Sequence, residues 1–150
     1  MRALIRRVLS AEVLVSGNQV GAIQKGLLIY LGIAKEDDSA ELDWLIKKIL
    51  GLRIFEDKTG KMNNAISSDS GILVVSQFTL LGNVLKGTRP SFHRAAAPTE
   101  ALQLYRALLK ELRKKFVGKV EGGVFGADMK VTAQDDGPVT IWIDSRHRKY

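Results

Sequence analysis

The chain has no cysteine, which excludes disulfides, thiolate metal sites and cysteine nucleophiles and fits a reducing compartment. Its two histidines, His93 and His147, lie far apart with no HExxH spacing and no carboxylate cluster beside either. Neither a metal ion nor another cofactor is therefore expected. GxSxG, GxGxxG and GxxxxGK followed by Ser or Thr are all missing, which argues against an α/β-hydrolase, a dinucleotide enzyme and a P-loop NTPase. Long apolar runs are missing as well. The opening stretch MRALIRRVLSAEV is broken by arginines every few residues and reads as neither signal peptide nor membrane anchor. A cytoplasmic protein without a membrane partner is expected.

What is present is a basic chain of 150 residues with a formal charge of +7. That length suits one domain, residues 1–150, with a core that needs no covalent staples. The charge favours a polyanionic partner, because a cationic surface gains free energy by displacing counterions from phosphates. The run Lys110 to Lys119 reads as a solvated helix face rather than a binding stripe.

Hydrophobic periodicity sets out the elements. Ala3, Ile5, Leu9, Ala11, Val13 and Val15 share one parity, predicting a long strand whose apolar face Arg7 interrupts. Ser16-Gly17-Asn18-Gln19 predicts a hairpin turn into Val20 to Ile23, and Leu27 to Ile33 forms a nearly continuous apolar strand, so a β-meander is expected. Asp38 or Ser39 caps a helix that carries Leu42, Leu45, Ile46, Ile49 and Leu50 and stops at Gly51. Leu52 to Phe55 predicts a short strand, Asp57 to Gly71 a polar loop, and Ile72 to Leu81 a second central strand. Gly82 to Pro98 is a long irregular connection, a length often reserved for function. Pro98 opens the longest helix, with an apolar stripe from Leu102 to Phe116. Glycines then punctuate hairpin-like strands, and the pattern is an antiparallel-rich α+β domain.

Two stretches carry chemistry. Ser76, Gln77 and Thr79 follow the apolar run Ile72 to Val75, and buried polar side chains need partners. They serve either a strand end or a cleft whose freed N–H groups receive a carbonyl, as in an oxyanion hole. In DDGPVTIWID, residues 135–144, the odd positions Val139, Ile141 and Ile143 predict a half-buried strand beginning at Gly137-Pro138. Proline has no N–H for a ladder and is expected at a strand start or an edge. Arg7 must be paired with a carboxylate or with backbone carbonyls if it is buried.

Taken in order, RIFEDKTGKMN (53–63), SQFTL (76–80), RPSF (89–92), FGADM (125–129) and GPVT (137–140) resemble the D-aminoacyl-tRNA deacylases along the whole chain. Asp135 stands where that family usually has asparagine. The resemblance implies a barrel-like domain with two main helices packed on it, working as a homodimer with active sites at the subunit interface. Its substrate would be the aminoacylated 3′ end of tRNA, and it would cleave the ester of D-aminoacyl-tRNA, and of glycyl-tRNA, while rejecting L-aminoacyl esters. Rejection would come from a cis Gly137-Pro138 bond whose carbonyls point into the partner's pocket. The backbone N–H groups of Gln77 and Phe78 would hold the oxyanion, with Thr79 a weaker candidate as nucleophile and the ribose 2′-hydroxyl assisting. Ser76 and Thr140 would touch the substrate, Phe125 and Met129 would pack on the terminal adenosine, and Arg7 would support the Gly-Pro turn. His93 is given no catalytic role. Two alternatives stay open: a same-fold deacylase with a trans bond acting on a small L-aminoacyl-tRNA, and a non-catalytic RNA-binding module.

Overall fold

The computed structural model describes residues 1–149. Eight strands and two helices follow one another as β1 (Arg2–Val15), β2 (Asn18–Ile23), β3 (Gly26–Gly32), α1 (Ser39–Gly51), β4 (Phe55–Glu56), β5 (Met62–Asn64), β6 (Gly71–Ser76), α2 (Pro98–Lys115), β7 (Lys119–Gly122) and β8 (Met129–Asp144), with a short 3₁₀ turn at Phe78–Leu81. The turn after β1 uses positive φ at Ser16 (50°) and Gly17 (80°), as a tight hairpin requires.

The main sheet is mixed. β1 is antiparallel to β2, β3 and β8, whereas the β3–β6 and β6–β7 pairs are parallel. Each parallel pair is joined by a crossover carrying one helix, because parallel neighbours cannot be closed by a hairpin. Two expectations change accordingly. The opening is not a meander, since β2 and β3 both pair with β1, as two arms of one bent ribbon. Nor do the strands after α2 form a hairpin, since β7 joins β6 while β8 joins β1.

The core has two layers. Ile29, Leu31, Ile72 and Val74 pack with Leu45, Ile49, Leu108 and Leu112 of the helices. Leu28, Leu73 and Val75 point the other way, into a second cluster with Val8, Val13 and Ile23. Burial on both faces is why β3 and β6 read as unbroken apolar runs. The sheet covers its own second face by curling, which makes it nearly barrel-like. A Cβ at Gly21 of β2 would lie 3.0 Å from the Gly122 carbonyl oxygen and 3.1 Å from Leu73, so glycine suits a crossing this close.

The long strands change faces on the way. Ala3 and Ile5 face the helices, whereas Val8, Ala11 and Val13 face the inner cluster. The β1–β8 register breaks at Arg6/Val8 and at Val8/Ser10, and Leu9 is left 43% exposed. The expected single odd-numbered face therefore does not exist, because a bulge reverses the side-chain alternation.

Local chemistry sets the boundaries. Asp38 caps α1 by accepting from Ala40 N–H at 2.7 Å, and Glu41 accepts from Asp38 N–H at 3.3 Å, a reciprocal capping box. The strand expected over 72–81 stops at Ser76: Gln77 N–H makes a last bond to the Leu31 carbonyl at 2.7 Å, and the chain turns into the 3₁₀ segment. The short strand expected at 52–55 is instead a two-residue β4 paired with β5, inside the expected polar loop. Asp57 builds that hairpin by accepting from Thr59 N–H at 2.8 Å, the Thr59 hydroxyl at 2.6 Å and Lys61 N–H at 3.2 Å. Those bonds, the Thr59 hydroxyl first, hold its carboxyl below the usual range.

Candidate active site

Ser76 ends β6 beside the end of β3, and the two strand ends open onto a cavity of about 790 Å³. Leu31, Ile33, Val75 and Ala101 give it an apolar floor, and Phe92, Ala95, Ala96 and Pro98 wall one side. Ser76, Gln77, Phe78, Phe125 and Met129 all line it. Five of the residues singled out in the sequence thus converge, although they come from two segments about fifty positions apart.

The backbone amides there sort themselves by hydrogen bonding. Gln77 N–H is spent on the Leu31 carbonyl, so the expectation that it serves as an oxyanion donor is corrected: a parallel-ladder bond already holds it. Phe78 and Thr79 occupy the first turn of the 3₁₀ segment, where no preceding carbonyl is in reach. Among the described residues their amides have no acceptor. Thr79 lies just outside the cavity lining, and its hydroxyl accepts from the Gln77 side-chain amide. That amide nitrogen is a donor and cannot take a proton from it.

Phe78 is 57% exposed at the rim and meets Phe92 edge-to-face with ring centroids 5.0 Å apart. On the far wall Phe125 rests against Tyr105 at 5.8 Å. Tyr105 is itself fixed, because its one hydroxyl proton lies between the Val74 carbonyl at 2.9 Å and the Gly123 carbonyl at 3.1 Å. Burial pushes its pKa up to about 12. His93 also lines the cavity, with Nδ1 3.2 Å from the Ser91 hydroxyl. So do Lys35 and Asp128. Nothing in spacing or periodicity pointed to these two, since each enters from a loop. Among the described residues no group of His, Asp and Glu is arranged to hold a metal ion.

Gly137, Pro138, Thr140 and Arg7 do not line this cavity. Gly137-Pro138 lies inside β8, not at its start, so that boundary is corrected too. The sheet-edge expectation does hold, because among the described residues β8 pairs with β1 alone. Val8 pairs with Asp135 and Arg6 with Thr140, so residues 136–139 bulge out opposite Arg7. In a bulge the missing proline N–H breaks no ladder bond. Gly137 has φ 117°, and the Gly137-Pro138 bond is cis.

Arg7 is only 4% exposed. It donates from Nη1 to the Ile54 carbonyl at 2.7 Å and from Nε to the Asp136 carbonyl at 3.2 Å, and Nε lies 3.0 Å from the Asp136 carboxylate. The guanidinium is thus a clamp at the base of the bulge. Next to it, Asp135 takes two bonds from Arg6, at 2.9 and 2.6 Å, and this pairing raises the Arg6 pKa further.

Comparison with known proteins addresses the family and the fold. The family model for D-Tyr-tRNA(Tyr) deacylase matches residues 4–144. A D-aminoacyl-tRNA deacylase of Opitutus terrae is 51% identical over 99% of this chain and 100% of that protein. Those of Thermosipho melanesiensis and Anaeromyxobacter dehalogenans are 48% and 52% identical, each over 97% of this chain and 98% of the relative. Among solved structures, one named c-Myc DNA Unwinding Element Binding Protein superposes with a TM-score of 0.87 at 44% identity, covering 96% of this chain and 98% of that one. Another, described as a "probable eukaryotic D-amino acid tRNA deacylase", has a TM-score of 0.80 at 18% identity over 95% of this chain and 97% of its own, and supports the fold alone. Through the matched model and these relatives, the chain belongs to the D-Tyr-tRNA(Tyr) deacylase family.

Proposed function

We propose that this protein hydrolyses the ester joining a D-amino acid to the 3′ end of tRNA, releasing the free D-amino acid and the tRNA. The observation that carries this reading is the opening of Ser76-Gln77-Phe78 onto the cavity with unspent amides at its rim. The ester carbonyl sits over the Phe78 and Thr79 N–H groups, and a water oxygen adds to its carbon. The tetrahedral oxyanion is held by these amides. Collapse breaks the bond to the ribose oxygen, which leaves with a proton, and the adjacent 2′-hydroxyl assists that transfer. An aminoacyl ester is already reactive, so positioning and amide stabilisation supply much of the acceleration. Ser76 touches the substrate, while Phe125 and Met129 receive the terminal adenine. Thr79 acts through its amide, since no base adjoins its hydroxyl.

Handedness is read by the Gly137-Pro138 turn of a second copy. The turn is exposed and lies outside its own chain's cavity, which suits donation across a dimer. Its carbonyls accept from the substrate ammonium and occupy the space that an L side chain needs. Glycyl esters, having no side chain, pass the filter, and Thr140 lies beside the entering acyl group.

Purified protein is expected to release D-Tyr from D-Tyr-tRNA and to leave L-Tyr-tRNA intact. Equal hydrolysis of both removes the chirality filter. A non-catalytic nucleic-acid-binding role is favoured by the charge of +7 and by the name of the 44% identical structure. Binding of uncharged tRNA without turnover of either ester would establish that role instead.

A further inference from the structure

Beside the catalytic cavity runs a second depression of about 600 Å³, lined by Arg2, Arg94 and the segment Leu81 to Leu85. The 3₁₀ turn and residues 92–95 form the wall between the two: His93 lines the cavity, and the next residue, Arg94, lines the groove. Arg2 is already engaged, by Asp144 at 2.9 Å and by the Leu80 carbonyl at 2.9 Å. Arg94 is not. Its guanidinium is exposed and has no hydrogen-bond or ion-pair partner among the described residues.

Lys35 stands on the cavity side of the same wall, tied to Arg94 through Lys35 N–H to the Arg94 carbonyl at 3.1 Å. Its ammonium is likewise unpaired among the described residues. The neighbouring acids do not quench it, because Glu36 and Asp37 reach Arg146 at 3.5 and 3.1 Å. The connection from Gly82 to Pro98 contains Lys86, Arg89 and Arg94 and not one acidic residue. Asn83 and Ser91 exchange backbone bonds at 2.9 and 3.0 Å, which closes the neck of that loop and holds its basic tip out beside the groove.

We infer that Arg94 and Lys35 form a phosphate track that leads the single-stranded 3′ end of tRNA from this groove into the cavity. The inference rests on the deacylase reading and adds to it how the strand arrives. A chain whose terminal adenosine enters the cavity must carry its preceding phosphates across the shared wall, where these two unpaired cations lie. Such contacts position the strand without reading its sequence.

The test compares D-Tyr-tRNA with 2′(3′)-O-D-tyrosyl-adenosine, which ends at the nucleoside and has no phosphate. For Arg94→Ala and Lys35→Ala, KM for D-Tyr-tRNA is expected to rise ~5-fold each with little change in kcat. For the double variant, the slope of log affinity against log salt is expected to fall by about 1.4, roughly 0.7 per cation on a single strand. The loss on D-tyrosyl-adenosine should be several-fold smaller, and Arg94→Lys should recover most of the affinity. Equal losses on both substrates, or none on the tRNA, overturn the track while leaving the deacylase reading in place. A wild-type protein that turns over neither substrate removes both.

Discussion

Replacing Arg7 separates what the fold needs from what the turn in β8 needs. The buried guanidinium donates to the Ile54 and Asp136 carbonyls, and truncation to alanine leaves both oxygens short of a partner. A hydrogen bond from a charged donor contributes about 1.5–3 kcal/mol. The Ile54 bond is buried and counts near the upper end. The Asp136 contacts are longer or partly solvated, with that carboxylate 31% exposed, and count near the lower end after screening. Arg7→Ala is therefore expected to cost about 3–4 kcal/mol, which for a chain of this size lowers Tm by roughly 6–16 °C. Methionine fills the space and still abandons both carbonyls, so it recovers little. Lysine keeps the charge without the planar fork and holds only one of the two groups. Urea unfolding of the three variants gives the stabilities. The D-to-L ratio of kcat/KM, measured on Arg7→Lys, reports the turn and is expected to fall at least tenfold. An alanine variant within about 1 kcal/mol of wild type, or a lysine variant with unchanged chiral ratio, would refute the clamp.

Three further outcomes follow from the same contacts. Tyr105→Phe should cost about 1–2 kcal/mol at neutral pH, because the Val74 carbonyl loses a buried donor. The folded pKa, about 12, lies above the unfolded value of about 10, so wild-type stability is full below pH 10 and falls as pH rises toward 12. Urea melts across that window should show the fall in wild type and lose this component in the variant. Thr79→Ala should keep D-Tyr-tRNA turnover within several-fold of wild type, and a loss beyond 100-fold would assign its hydroxyl a chemical role. Gly26→Ala should cost more than about 2 kcal/mol, since a Cβ there runs into the Gly71 backbone across the β3–β6 pair; chemical denaturation with little change would mean that these strands part easily.

Much of this architecture was legible because local chemistry and tertiary packing agree. Asp38, Pro98 and the apolar stripes of both helices mark their elements. The double-sided burial of β3 and β6 leaves uninterrupted hydrophobic runs. Illegible were features decided by partners distant in the chain. Whether Val8 or Leu9 faces inward depends on register breaks against β8, which no period in β1 encodes. Parallel pairing of β7 with β6 depends on where α2 delivers the chain. At the site, the polar residues after Val75 signalled either a strand end or a cleft, and the two coincide there; Arg7 on an apolar face signalled a need for partners if buried. The spent amide of Gln77 was invisible because it depends on the Leu31 carbonyl of another strand.

That spent amide also explains why the site lies where it does. Parallel strands β3 and β6 end together, and the Gln77 bond to Leu31 is the last rung of their ladder. One residue later the chain needs donors for which the sheet has no acceptor, and the 3₁₀ turn leaves them at the cavity rim. Ligands collect outside the carboxyl ends of parallel strands for this reason. On the proposed reading its backbone amides and apolar walls receive a carbonyl and a ring, with Lys35, His93 and Asp128 also in the lining. The proposed selectivity enters from a rigid group outside the cavity. In this chain the braced and exposed candidate is the bulge at residues 136–139, held by a guanidinium whose bonds all go to the protein. On the proposed reading catalysis and selectivity rest on separate segments, so the Arg7 variants should damage the second while the Phe78 and Thr79 amides keep the first.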